Sequence, residues 1–132
     1  MKVTVDTNVL VRAVTEDHAE QSRTAQSTLK RAELVAISIP TLCELVWVLS
    51  QGYKIPTSEV ADTIRRLINA ASVAVNRPAA EAGLAQLDAG GDFADGAIAF
   101  EGGWLGADTF VSFDRRAVRL LNARGESAQL LS

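Results

Sequence analysis

The stretch VTVDTNVLVRAV, Val3 to Val14, is an apolar run that stops at an acid, Asp6, passes through Thr7 and Asn8, and turns apolar again. KVTV, Lys2 to Val5, reads as a strand and Asn8 to Val14 as a short helix. The same arrangement returns in TFVSFDRRAVRLL, Thr109 to Leu121, where Asp114 separates a strand from a helix. An acid at the end of a buried strand therefore occurs twice, near opposite ends of the chain.

Between these two stretches, apolar runs and helical periodicities alternate. Asp17 to Ala32 is polar, with Ala19, Ser22, Ala25 and Leu29 at helical spacing, and reads as an exposed helix. LVAIS, Leu34 to Ser38, is a second strand. Pro40 suits the first turn of the next helix, whose stripe is Leu42, Leu45, Val46 and Leu49, and Gly52 is its stop. Thr57 or Ser58 is the expected cap of a helix that turns Val60, Ile64, Leu67 and Ile68 inward. VAVN, Val73 to Asn76, is a short strand, and Pro78 opens a small-residue helix ending near Gly90 and Gly91. A compact helix follows from Asp92 to about Phe100, then a glycine-rich turn around Gly102 to Gly106. Arg115 to Asn122 is a helix, and SAQLL is a last edge strand. Strands alternating with helices imply α/β layering around a mostly parallel sheet of four or five strands.

The chain has 132 residues and is 48% hydrophobic, which suits one compact domain spanning residues 1–132 with its own core. Aromatics make up only 5%, so Ala, Val, Leu and Ile build that core. There is one cysteine, Cys43, so no internal disulfide forms and a cytoplasmic setting is expected. No run approaches the roughly 18 apolar residues that a membrane span needs, so no membrane association is expected, and the first residues read as a strand rather than a signal peptide. A net charge of −3 argues against coating nucleic acid through bulk electrostatics. It is compatible with a nuclease, because a cluster of metal-binding carboxylates itself makes the balance negative.

In parallel α/β sheets ligands gather beyond the carboxyl ends of the strands. Asp6 and Asp114 belong to such a rim if their strands run parallel, although either also suits a helix N-cap. Glu44 is the only charged residue between Leu34 and Tyr53, with Cys43, Leu45, Val46, Trp47 and Val48 around it. A carboxylate in that company is expected to be paired, protonated or bound to a cation, with Arg12 or Arg65 as the candidate ion-pair partner. In GGDFADGAIAFEGG, Asp92 and Asp95 lie one turn apart on one helix face. Asp92 reads first as the N-cap, and Asp95 projects from the first turn, where the helix dipole favours an anion.

Several carboxylates held about 4 Å apart repel by roughly 4 kcal/mol per ionised pair at an effective dielectric near 20. A hard divalent cation relieves that repulsion and leaves positions open for water and phosphate. The matching chemistry is metal-assisted attack of water on a phosphodiester. The only histidine, His18, stands in a polar helix, and neither a thiol–imidazole nor a serine–imidazole pair nor a phosphate-binding glycine loop with lysine is present.

The order Asp6 in VDTNVLVR, Glu44 in PTLCELVWVL, Asp95 in DFADGAIA and Asp114 in FVSFDRRA resembles the PIN-domain family, and within it the VapC-type toxins of bacterial toxin–antitoxin pairs. The resemblance covers essentially the whole chain. It implies a small α/β/α sandwich and a Mg²⁺- or Mn²⁺-dependent endoribonuclease, usually a homodimer, blocked by a short cognate antitoxin. By position, Asp6, Glu44, Asp95 and Asp114 form the acidic quartet that holds the metal and carries catalysis. Asp6 and Asp95 are the direct ligands, while Glu44 and Asp114 act through water or on a second ion. Thr7 and Asn8 match the family's polar residues after the first acid, and Ser112 a small polar position before the last.

RNA affinity comes largely from cations meeting phosphates, for which Arg12 and Arg115 are the candidates, with Arg116 and Arg119 beside them. Trp104 offers a stacking surface or a dimer contact. Trp47 and Leu49 are expected in the core, with a groove for an antitoxin segment as the alternative. A competing reading keeps the scaffold without catalysis, as a module that binds an antitoxin peptide and represses its own operon. A haloacid-dehalogenase-like phosphatase also begins with a strand ending in aspartate. It needs a second aspartate where Asn8 stands and a distal lysine, and no lysine follows Lys54. A receiver-type phosphoacceptor fails for want of the same late lysine.

Overall fold

A computed structural model describes all residues, 1–132. The chain forms two compact units, Met1–Asn76 and Arg77–Ser132, and belongs to the α/β class.

The first unit runs β1 (Lys2–Thr4), α1 (Thr7–Thr15), α2 (Ala19–Arg31), β2 (Leu34–Ala36), α3 (Ile39–Trp47), a π-helical turn (Val48–Gly52), α4 (Thr57–Ile68) and β3 (Val73–Ala74). Its strands make a parallel sheet in the order β1-β2-β3, with Val3 opposite Val35 and Val35 opposite Val73. Parallel neighbours need long crossovers, which the helices provide. Pro40 lies in the first turn of α3, where its missing N–H costs nothing, and the Ser38 side chain accepts the Thr41 N–H as N-cap. The expected stripe is buried: Leu42 and Leu45 are fully inaccessible and Leu49 is 1% exposed. Each such leucine stabilises the unit by about 1.5–3 kcal/mol. Gly52 closes the π-helical turn, as its sequence position suggested.

Some expectations shift within this unit. Helix α4 begins at Thr57 with Pro56 as its N-cap and no side-chain cap bond, so neither Thr57 nor Ser58 does that work. His18 stands before α2 rather than within it, exposed, and its Nδ1 accepts the Gln21 N–H as N-cap. Trp47, expected in the core, is 65% exposed, because it falls on the outer side of the stripe formed by Leu42, Leu45 and Leu49.

The second unit runs α5 (Arg77–Asp88), α6 (Phe93–Trp104), β4 (Phe110–Ser112), α7 (Arg115–Ala123) and β5 (Ala128–Leu130). Its two strands pair in parallel, with Val111 opposite Gln129. All five expected strands thus form and every pairing is parallel, in one three-stranded and one two-stranded ladder. The region expected as a turn after Phe100 is instead the last turn of α6, which continues through Gly102 and Gly103 to Trp104. The helix stops where Gly106 takes a left-handed φ of 112°, with Gly106 N–H donating to the Gly103 carbonyl and Ala107 N–H to that of Gly102. This crossed pair satisfies carbonyls that the helix leaves open. Helix α5 ends the same way around Gly90, φ 98°.

Small residues let α5 and α6 touch. Phe93, 1% exposed, lies against Gly83, and Gly96 faces the Ala82 carbonyl so closely that a Cβ there would come within 2.3 Å of its oxygen. Backbone cannot yield as a flexible side-chain tip can. Gly96→Ala is expected to cost about 1–3 kcal/mol by overpacking. Gly102→Ala, with no atom within 4 Å of the added methyl, is expected to gain up to about 1 kcal/mol of helix propensity. Urea unfolding midpoints of the two variants should therefore move in opposite directions.

Candidate active site

Each unit carries part of the expected acidic set. In residues 1–76, Asp6 stands at the end of β1 as the N-cap of α1, its Oδ1 accepting the Thr7 N–H at 2.7 Å. The Thr7 side chain is buried, and its hydroxyl donates to Glu44 Oε1 at 3.1 Å. One turn of α1 thus links the first acid to the second. Glu44 itself is exposed, which corrects the expectation of a carboxylate enclosed by apolar neighbours. Helix periodicity explains the difference: Leu42, Leu45 and Val46 occupy the inner face and leave position 44 outside. Arg12 does not neutralise Glu44. Its guanidinium is committed to Gln21 Oε1 at 2.6 Å and Asp17 Oδ1 at 3.4 Å. Tyr53 donates to the other oxygen of Asp17, and these bonds hold that carboxyl below its ordinary value. Asn8 is exposed beside Asp6. The Cys43 thiol is pushed up, first by burial and then by the charge of Glu44, so it is no ready nucleophile.

In residues 77–132, Asp92, Asp95 and Asp114 converge, with one oxygen of each within 4.8 Å of the others. Asp114 reaches the group from the end of β4, where its Oδ1 caps α7 by accepting the Ala117 N–H at 3.1 Å. Ser112 Oγ accepts the Asp114 N–H at 2.9 Å, so the residue expected to meet substrate also fixes the last acid. Asp95 comes from the first turn of α6 and is half-buried. Asp92 occupies the N-cap position, as expected, but its side chain makes no cap hydrogen bond. The sequence reading put the capping role of Asp92 first and kept it as an extra acid beside the quartet, and the structure places it in this group. The signal was present in its i, i+3 spacing to Asp95. Arg115, Arg116 and Arg119 are exposed on α7, and none forms an ion pair with the three acids.

Burial raises the Asp95 carboxyl above its ordinary value, and the charges of Asp92 and Asp114 raise it further. Three carboxylates with no basic side chain between them form a donor set that fits a hard divalent cation. The donors on offer are all oxygens, which suit a hard cation better than a metal that prefers nitrogen or sulfur.

A model of the PIN domain family matches residues 3–121. The chain belongs to the PIN domain family. No curated protein matches it closely enough to count as a relative. PIN domains are generally metal-dependent nucleases, and the family membership supports a hydrolase at that coarse level. The acids that identify a PIN domain by sequence here lie at helix starts or, for Glu44, on an open helix face.

The raised Asp95 carboxyl has a thermodynamic consequence. The folded chain holds that proton more tightly than the unfolded chain, so stability falls as pH rises from the ordinary carboxylate value through the raised one. Asp95→Asn removes this penalty. In a metal chelator its thermal midpoint should exceed that of the unsubstituted protein at neutral pH, with the gap closing toward about pH 4. Calorimetry across that range checks both the sign and the window.

Proposed function

We propose that this PIN domain is a Mg²⁺- or Mn²⁺-dependent endoribonuclease and the toxin of a toxin–antitoxin pair. The observation that carries the metal reading is the convergence of Asp92, Asp95 and Asp114 with no cationic side chain among them. Asp6, Glu44, Asp95 and Asp114 are the acids assigned to the reaction, by their order in the family pattern.

A divalent cation, when bound, supplies Lewis-acid polarisation of the phosphodiester and makes water more acidic for attack. The chain's own groups do the rest. Asp95 and Asp114 would hold the cation, and the cap bond from Ala117 N–H keeps Asp114 from turning away. Thr7 orients Glu44 through one carboxylate oxygen and leaves the other open. Asn8 and the exposed Arg115 meet the phosphates and sugars of the strand, the contacts that supply most sequence-independent affinity. Arg12 orders the start of α2 rather than gripping phosphate as long as Asp17 holds it. The antitoxin inhibits by placing a lysine or arginine among the acids, which replaces the cation electrostatically. The active assembly is a homodimer.

Incubation with single-stranded RNA should give internal cleavage that requires Mg²⁺ or Mn²⁺ and stops with chelator. Asp6→Ala and Asp95→Asn should each lower the rate by at least about 100-fold, since even outer-shell changes at metal sites cost 10–100-fold. A chain that neither binds divalent metal nor cleaves RNA would instead be a binding module.

A further inference from the structure

Gln86 is the only polar side chain among the buried residues of α5, and it is fully inaccessible. Burying an amide is costly unless its oxygen and its nitrogen both find partners, a demand that a methionine of similar size would not make. Here both ends are used. Arg124, at the end of α7, donates to Gln86 Oε1 at 2.6 Å, and Gln86 Nε2 donates to the Ala117 carbonyl at 3.4 Å. A guanidinium offers only donors, so it fixes which end of the amide is oxygen and thereby aims the nitrogen at α7. Ala117 is the residue whose N–H holds Asp114. On the other side, the Gln86 backbone carbonyl accepts the Gly91 N–H at 2.9 Å, immediately before Asp92. Gly96, immediately after Asp95, lies so close that a methyl on it would come within 2.8 Å of the Gln86 Cβ. One buried residue thus touches the chain beside or beneath each of the three acids.

We propose that Gln86 is a positioning residue for the acidic hollow, and that Arg124 orients its amide for that task. The inference rests on reading those acids as the metal site of a nuclease, and it adds no ligand to them. Gln86 brings no charge of its own and acts through the backbone that carries the acids. It holds the first turn of α7, and with it the capped Asp114, against the link between α5 and α6. A buried amide engaged at both ends specifies one packing arrangement, whereas an apolar side chain would let α7 shift along α5 at little cost.

Gln86→Met keeps the side-chain length and the packing on Gly96 while removing both amide bonds. Arg124→Met leaves the amide in place and removes the cation that orients it. Amide exchange of the full chain in chelator, followed by nuclear magnetic resonance, compares the Ala117 N–H with the Leu84 N–H on α5. In Gln86→Met the Ala117 N–H should exchange about tenfold faster relative to Leu84, the net worth of one hydrogen bond, and in Arg124→Met about threefold faster. Mn²⁺ affinity, read from free ion by electron paramagnetic resonance, should fall about tenfold in Gln86→Met, a loss typical when groups behind a metal site are changed. A general loss of stability speeds both amides alike, so an unchanged ratio, whatever the melting temperature, would show a core residue only and overturn the proposal. If Gln86→Met does not fold, the ratio in Arg124→Met decides, and its constancy overturns the proposal equally. Unchanged Mn²⁺ affinity in the folded variants would overturn it too and leave the metal site standing. Absence of Mn²⁺ binding in the unsubstituted chain would remove the metal reading itself, and the role of Gln86 with it.

Discussion

Like charges held together at the start of helix α6 are the constraint on which the functional half of this molecule depends. Asp95 is fixed by the helix that carries it, and Asp114 is fixed from both sides, by the hydroxyl of Ser112 and the amide of Ala117. Asp114 cannot turn away without giving up its cap bond. The scaffold therefore holds like charges close together, and a divalent cation bound there would relieve their repulsion. Binding and folding stability are linked through the same few oxygens.

The first unit solves a different problem. There the acids are open to solvent, and orientation is what the structure provides. The buried hydroxyl of Thr7 lies between the cap of α1 and Glu44 on α3, so two elements distant in sequence hold one carboxylate in place. A nearby set of bonds among Arg12, Asp17, Gln21 and Tyr53 ties the entrance of α2 to the segment after the π-helical turn. These contacts are polar and mostly exposed, so their effect is positional rather than strongly stabilising.

Much of this was legible in the sequence because two signals coincided at each acid. Strand alternation ending in Asp6 and in Asp114, followed at once by helical spacing, located the parallel strands and the helix starts that follow them. The stripe on α3 and the glycine stop of α5 were equally readable, since each follows from side-chain period or backbone permissiveness. Glu44 was harder. Its apolar neighbours suggested burial, but only the angle around the helix decides which side a residue faces, and one position moves that angle by about 100°. Trp47 was misplaced for the same reason. The extent of α6 was hidden by its glycines, which read as a turn until the crossed carbonyl bonds at Gly106 marked the true end. Asp92 had the right residue type for a cap, and residue type carries no information on where a carboxylate rotates.

The connection between α5 and α6 has a meaning beyond closing a hairpin. It leaves α5 through the left-handed Gly90 and enters α6 at Asp92, while Gly96 meets the Ala82 carbonyl. Those anchors fix both the height and the angular setting of α6 against its neighbour. Insertion of a single residue in that link would make the helix either swing Asp95 about 100° off the acidic hollow or abandon its glycine seat. Loop length at this point is thus a condition of the chemistry, because the count of residues in the link decides where the acid on α6 faces.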